Sequence, residues 1–197
     1  MAALAWRFQR ARTQAAAVAT IRKLGGNVTY DSDGDFDSKG MPIVRTALIP
    51  NWFRQLCGMD FFQNTVGVLS PNSPPNSDSD SIRFWQAVDE LPRLKLVHAD
   101  GPWVVPSAAA KALVGKTELK YLSLRSANLG DDDLHFIRSL RQLYGLDLNG
   151  SAVSDRGVRF LVGLPKLGIA DLRGTAISAR GIDDFERHYP TVSLGHD

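Results

Sequence analysis

Apolar residues return at a constant spacing of 24 positions through the C-terminal part of the chain, and six columns hold this spacing over three copies. The columns are Leu119, Leu143 and Leu167; Leu122, Leu146 and Ala170; Leu124, Leu148 and Leu172; Leu129, Val153 and Ile177; Leu134, Val158 and Ile182; and Ile137, Leu161 and Phe185. A fixed period of this length indicates a repeated structural unit, which buries its apolar side chains by stacking on its neighbours. The pattern therefore predicts a stacked repeat protein.

Within each copy the apolar spacing changes, and the change predicts a strand followed by a short helix. Leu122 and Leu124 alternate with the outward-facing Ser123, which is the period of a strand. Further along, apolar residues recur at every third position, which is typical of a helix. Ser154 is a favourable N-cap residue, and Asp155 follows it in the first turn, where the helix dipole favours an acid.

The columns continue on both sides of the three copies. The residues that extend them, from the first predicted strand to the last, are Val66, Val68, Leu94, Val97, Ala99 and Leu194. Between the first two strands, the sequence PNSPPNSDSD is rich in proline, serine and aspartate. Such a composition favours turns and opposes a packed core, so we predict a mobile surface loop over 71–80.

The units resemble bacterial leucine-rich repeats of the same 24-residue length, L-x-x-L-x-L-x-x-T-x-V-T-D-x-G-L-x-x-L-x-x-L, which are abundant in planctomycete proteins. Residues 146–161, LDLNGSAVSDRGVRFL, follow that pattern most closely. Other copies depart from it, since Ala179 stands at the aspartate position and Asp133 at the glycine position. The position that other leucine-rich repeats often fill with asparagine is Ala127, Ser151 and Thr175. The usual asparagine ladder is therefore absent, and we expect the Ser and Thr hydroxyls to replace it in part.

Residues 1–65 carry no repeat and are predicted to form a cap on the stack. Residues 2–24 predict a helix that ends at Gly25 and Gly26, with an apolar face formed by Leu4, Phe8, Ala11, Ala15, Val18 and Ile21. After it, NVTY and MPIV predict a hairpin, and PNWFRQLCGMDFF predicts a short helix. The strings AVATIRKLGGNVTYD and WFRQLCGMDFF also resemble the segment that precedes the repeats in the planctomycete proteins.

The fold predicted from these features is α/β. It consists of a helix-and-hairpin cap over 1–65 and a short leucine-rich repeat solenoid of four to five units over 66–197. As the resemblance implies, parallel strands would line the concave face of the solenoid, and short helices would cover its convex face.

The sequence lacks the motifs that would indicate an enzyme. We find no nucleophile elbow, phosphate loop or dinucleotide fingerprint, and Cys57, the single cysteine, has no catalytic motif beside it. DSDGDFD (31–37) offers the alternating oxygens of a calcium loop, but Phe36 and Pro42 occupy the positions of its glycine and its bidentate glutamate. We therefore interpret 31–37 as a hairpin turn, and we expect no metal, cofactor or catalysis.

The outward side chains of the strands are the predicted binding surface. On the concave face they are Leu96, His98, Asp100, Tyr121, Ser123, Arg125, Asp147, Asn149, Ile169, Asp171 and Arg173. Interleaved charges on one curved sheet favour a protein or peptide partner, and we predict a noncatalytic interaction module. The alternative is a solvated sheet face with cross-strand ion pairs, such as Arg125 with Asp147. The net charge of +2 is too small to argue for a nucleic-acid partner.

The start of the chain predicts an alternative function. WRFQRAR (6–12) combines aromatic and basic side chains, a composition that favours the surface of an anionic membrane. The alternative is therefore a membrane-proximal structural domain that contacts lipid through residues 1–23, and in the planctomycete proteins a membrane helix often precedes this point. The other interpretation of 1–23 is a helix that packs on the cap and keeps its arginines in water.

Overall fold

The computed structural model describes residues 2–30, 65–71, 75 and 77–197. The predicted acidic turn, the strand MPIV, the aromatic helix after it and Cys57 lie outside the described residues. The helices and strands, in chain order, are α1 (Ala2–Lys23), β1 (Asn27–Tyr30), β2 (Thr65–Leu69), α2 (Asp78–Asp89), β3 (Leu96–His98), α3 (Pro106–Leu113), β4 (Tyr121–Ser123), a 3₁₀ helix (Asp131–Ser139), β5 (Gly145–Asp147), α4 (Asp155–Leu161), β6 (Ile169–Asp171), α5 (Ala179–His188) and β7 (Ser193–Gly195).

The strands form one sheet in the order β1 to β7, so each strand lies beside its neighbours in sequence. β1 pairs antiparallel with β2, and every later pair of described strands is parallel. The strand register aligns one central column, which consists of Val68, Val97, Leu122, Leu146, Ala170 and Leu194. The α/β class and the column alignment predicted from the 24-residue spacing are therefore confirmed.

The core lies between the inner side of the sheet and the helices. Leu122, Leu124, Leu146 and Leu148 are buried, and so are most of the helical residues in the repeated columns. Each helix from α2 to α5 packs against the next one along the chain, with the 3₁₀ helix between α3 and α4. One hydrophobic cluster extends from α1 to α5, so the described part of the predicted cap shares its core with the repeated units.

Aspartate–serine contacts join consecutive units at the starts of their helices. The carboxylate of Asp131 accepts hydrogen bonds from the backbone N–H of Ser154 at 2.8 Å and from its hydroxyl at 2.6 Å. One unit later, the carboxylate of Asp155 accepts from the N–H and the hydroxyl of Ser178 at 2.7 and 2.6 Å. The sequence predicted only that these acids suit the dipole of their own helix. In the structure each of them also binds the N-cap residue of the next unit, and we call these two contacts the aspartate–serine links.

The links are one reason why the later unit of each pair carries glycine at its third helical position. A Cβ atom on Gly157 would lie only 2.5 Å from the Oδ1 atom of Asp131. A Cβ atom on Gly181 would meet the carboxylate of Asp155 in the same way. Glycine is therefore favoured because two groups lie too close for a Cβ atom: the carboxylate of the preceding unit, and the side chain of Val153 or Ile177 in the same unit.

The 3₁₀ helix shows the opposite arrangement. The preceding helix, α3, begins with Pro106 and has no acid in its first turn, so it offers no link. Asp133 stands at the position of the later glycines, and its carboxylate accepts from the N–H of Gly130 at 2.9 Å. The departure of Asp133 from the repeat pattern thus follows from the absence of an aspartate in the unit before it.

Helix α1 is confirmed, but its predicted apolar face is only partly correct. Leu4 lies outside the described side chains, and among those of α1 that the structure describes, the buried ones are Gln14, Ala17, Val18 and Ile21. Phe8 is 44% exposed and Ala15 is also exposed, although both belong to the predicted face. Alanine is compatible with burial or exposure, so an alanine-rich helix defines its buried face poorly.

The prediction of a loop over 71–80 is wrong at the C-terminal end of that range. Ser77 is the N-cap residue of α2, and its hydroxyl accepts from the N–H of Asp80 at 3.2 Å. Residues 78–80 are therefore helical. The serine and aspartate content that suggested a loop contains a helix start, since serine at the N-cap and acids in the first turn both stabilise one.

The expected hydroxyl ladder between units is also not formed. The hydroxyl of Thr175 donates to the carbonyl of Leu172, in its own unit, at 2.6 Å. The hydroxyl of Ser151 is buried and has no hydrogen-bond partner among the described residues. Hydrogen bonds between the side chains of these units are found at other positions, among them the aspartate–serine links.

Candidate interaction surface

The residues predicted to bind a partner share one side of the sheet, which we call the outer strand face. The strand register aligns two rows: Leu96, Tyr121, Gly145 and Ile169, then His98, Ser123, Asp147 and Asp171. These positions alternate with the buried central column, so their side chains point away from the core. None of the predicted binding residues is buried.

Exposed aromatic and apolar side chains cover one end of this face. Tyr121 and Tyr144 meet edge to face, with ring centroids 5.9 Å apart and ring planes at 73°. The ring of Tyr121 lies over Gly145, where a Cβ atom would be 2.7 Å from the ring, and Tyr144 lies over Gly168 in the same manner. Tyr121, Tyr144 and Ile169 are each 45% exposed. We call these three residues the tyrosine patch.

Sequence reasoning did not include Tyr144 in the candidate surface. Tyr144 stands one residue before β5, outside the alternating positions from which the outward rows were taken. The signal that could have identified it is Gly168, which occupies the same position one unit later. Because Gly168 has no side chain, it leaves room for the ring of Tyr144.

The carboxylate of Asp100, on the outer strand face, binds three neighbouring residues. Its Oδ1 atom accepts from the hydroxyl of Ser123 at 2.6 Å and from the N–H of Arg125 at 3.2 Å. Its Oδ2 atom lies 2.7 Å from the Nε2 atom of His98. Asp100 therefore has partners within the protein for both of its oxygens.

Arg173 and Asp171 form a bidentate ion pair. The Nε and Nη2 atoms of Arg173 donate to the Oδ1 and Oδ2 atoms of Asp171 at 2.9 and 2.5 Å. The hydrogen bonds from Arg173 hold the pKa of Asp171 below its ordinary value. These donors of Arg173 are thus already occupied by a neighbouring residue.

Asp147 is less well neutralised. Its Oδ1 atom accepts from the N–H of Asn149 at 3.0 Å, and its Oδ2 atom lies 3.7 Å from the Nε atom of Arg125, beyond hydrogen-bonding distance. Burial raises the pKa of Asp147, and the charges of Asp171 and Asp100 raise it further, against the opposing effects of Asn149 and Arg125. The predicted cross-strand pair of Arg125 with Asp147 is therefore present, but it is a loose one.

Ser123 and His98 both bind Asp100 rather than each other. A serine nucleophile needs its hydroxyl on the base that accepts its proton, whereas here the hydroxyl donates to a carboxylate. Within the described ranges, no three His, Cys, Asp or Glu side chains group together in a way that could hold a metal ion.

Helix α1 carries a second exposed surface near its start. Trp6 is 61% exposed, and the guanidinium of Arg10 lies 5.5 Å from the centre of its ring. Arg12 is exposed two residues further on, and α1 contains no acidic residue. Among the helices that the structure describes, none has both the length and the apolar character needed to cross a membrane.

No protein-family model matches this chain, and a search of curated proteins also found no match. The resemblance to leucine-rich repeats therefore depends on the residue pattern of the chain itself.

Proposed function

We propose that this protein is a short leucine-rich repeat solenoid that serves as a noncatalytic protein–protein interaction module. In this proposal the outer strand face is the concave face of the solenoid and binds a protein or peptide. The fold assignment is supported by the six repeated columns and by the strand register, which aligns the same positions in successive units.

The observation that carries the functional proposal is the tyrosine patch. Large apolar side chains at the surface of a protein are unremarkable when scattered, but contiguous ones mark binding sites. Tyrosine is well suited to this role, because it offers a large contact area and loses little conformational freedom on binding. Tyr121 and Ile169 lie on paired strands, so a partner would bind a surface that is already ordered.

The test is a comparison of three immobilised proteins in capture from a lysate of the source organism. Tyr121→Ala combined with Arg125→Ala should abolish retention of the main protein captured by the unaltered chain, whereas His135→Ala, on the 3₁₀ helix, should retain it. Circular dichroism should show the same fold for all three. If His135→Ala no longer captures that protein and the double variant still does, the interaction lies on another surface.

A second candidate function is supported by the exposed start of α1. Trp6 and the basic side chains of Arg10 and Arg12 lie on a helix without acidic residues, a composition that binds anionic membrane surfaces. In this alternative the protein is a membrane-proximal structural domain, and residues 1–23 contact the lipid headgroups.

Vesicle sedimentation tests this alternative. Phosphatidylcholine vesicles that contain phosphatidylglycerol should bind the protein, and charge removal at Arg7, Arg10 and Arg12 should abolish that binding. The matched control removes the same number of charges at Lys111, Arg141 and Arg159, which are exposed residues of other units. Equal loss in both variants would indicate an effect of net charge alone and would exclude a specific role of α1.

A further inference from the structure

The carboxylates of the outer strand face differ in how closely a positive charge binds them, and Asp147 is the one bound most loosely. Arg173 is committed to Asp171, and Asp100 is bound by His98 and Ser123. Asp147 accepts from the N–H of Asn149, but its contact with a cation is the loose one with Arg125, at 3.7 Å. Because Asp100 and Asp171 already have close partners, Asp147 is the carboxylate of this face that a further cation would neutralise.

The register places Asp147 close to the tyrosine patch. Tyr121 pairs with Gly145, and its ring lies over that glycine. Asp147 follows Gly145 by two residues on the same face, which is a distance of about 7 Å along a strand. A single arginine or lysine side chain is long enough to cover both the ring and the carboxylate.

We propose that the partner segment presents an arginine or lysine side chain across Tyr121, with its charged end at the carboxylate of Asp147. This inference rests on the proposed function. The stem of such a side chain buries apolar surface against the ring, and the charge gains a cation–π contact and an ion pair. An acidic partner would instead bring its carboxylate close to Asp147, beside Asp100 and Asp171, and like charges repel there. The occupant is therefore a cationic segment of a protein partner.

The test uses three pools of acetylated and amidated hexapeptides that share randomised flanking positions. The pools differ in one fixed internal residue, which is arginine, its neutral isostere citrulline, or glutamate. The arginine pool should bind about tenfold more tightly than the citrulline pool, since the two differ by one charge at equal size. Tyr121→Ala should weaken binding of both the arginine and the citrulline pools.

Two variants test whether the carboxylate of Asp147 causes the preference for arginine. Asp147→Asn should reduce the affinity of the arginine pool to that of the citrulline pool, because it removes the carboxylate and retains the acceptor for the N–H of Asn149. The matched control is Asp183→Asn, which removes an exposed carboxylate of α5 and should leave the preference for arginine unchanged.

The outcomes separate this inference from the proposed function. Equal binding of the arginine and citrulline pools, or preference for the glutamate pool, with dependence on Tyr121 in either case, would overturn the cationic occupant and leave the interaction surface in place. Binding that Tyr121→Ala does not affect would overturn both proposals. If none of the pools binds, the cationic occupant is rejected, and the capture experiment alone decides the proposed function.

Discussion

The helix starts and the outer strand face differ in what the repeat does to their side chains. At the helix starts the same contact recurs, since Asp131 with Ser154 and Asp155 with Ser178 have matching geometry. On the outer strand face, the side chain in the row that contains Tyr121 changes from one unit to the next. Tyr121 occupies one position in its unit, and the same position in the next two units is Gly145 and Ile169.

The difference indicates which positions serve the stack and which are free to serve a partner. A contact that recurs between units contributes to each interface at which it forms, so its loss should reduce stability. Exposed positions that differ in every unit contribute little to the stack, and their side chains can serve recognition. The comparison therefore predicts that substitutions at the helix starts change stability, whereas substitutions on the outer strand face change binding.

The largest expected effect concerns the core on which both regions rest. Leu148 is fully buried in a middle unit, and Leu148→Ala should lower the free energy of unfolding by about 2–5 kcal/mol through lost contacts and a cavity. Ile169→Ala, on the outer strand face, should change it by less than about 0.5 kcal/mol. Urea denaturation measures both. If Ile169→Ala lowers the free energy of unfolding as much as Leu148→Ala does, the comparison is wrong, because the outer strand face would then contribute to the stability of the stack.

A smaller effect tests the aspartate–serine links directly. Gly157→Ala should cost about 1–3 kcal/mol, because the new methyl group would overlap the Oδ1 atom of Asp131 and the side chain of Val153. Asp131→Ala should cost a similar amount, about 1–3 kcal/mol, because it leaves the N–H of Ser154 without its acceptor. In the double variant the methyl group no longer meets the carboxylate, so the combined cost should be less than the sum. Additive costs in urea denaturation would show that the carboxylate does not set the need for glycine.

Much of the fold could be predicted, because a repeat translates sequence spacing into strand register. One alignment of the columns at Leu122 and Leu146 fixed which residues face the core and which residues sit side by side on neighbouring strands. The same alignment placed Leu194 in the last strand, which the structure confirms. The positions of the outward residues followed from alternation alone.

The features that were missed depend on contacts between units that a single unit does not reveal. Asp131 and Asp155 suit their own helix dipoles, and nothing within one unit indicates that they reach Ser154 and Ser178. Tyr144 was missed for a similar reason, since its exposure depends on Gly168 in the next unit. The prediction of the buried face of α1 was partly wrong for a different reason, because alanine is compatible with either side of the helix.

The smallest expected effect compares one carboxylate from each region through the pH dependence of stability. The hydrogen bonds from Ser178 lower the pKa of Asp155, whereas burial, together with Asp171 and Asp100, raises the pKa of Asp147. Below the ordinary aspartate pKa the unfolded chain is protonated at Asp155 before the folded one, so the stability that Asp155 contributes is present near neutral pH and is lost as the pH falls through its lowered pKa. At Asp147 the folded state takes up the proton first, and its contribution to stability therefore increases as the pH falls through its raised pKa towards the ordinary value.

Urea denaturation from about pH 7 to about pH 3 of the unaltered chain, Asp155→Asn and Asp147→Asn measures these contributions as differences in unfolding free energy. The difference between the unaltered chain and Asp155→Asn should shrink as the pH falls. The difference between the unaltered chain and Asp147→Asn should move in the opposite direction, in favour of the unaltered chain. If both differences shrink as the pH falls, both carboxylates are stabilised by the fold. Asp147 would then belong with the structural contacts of the helix starts, and the outer strand face would lose the unsatisfied charge that distinguishes it from them.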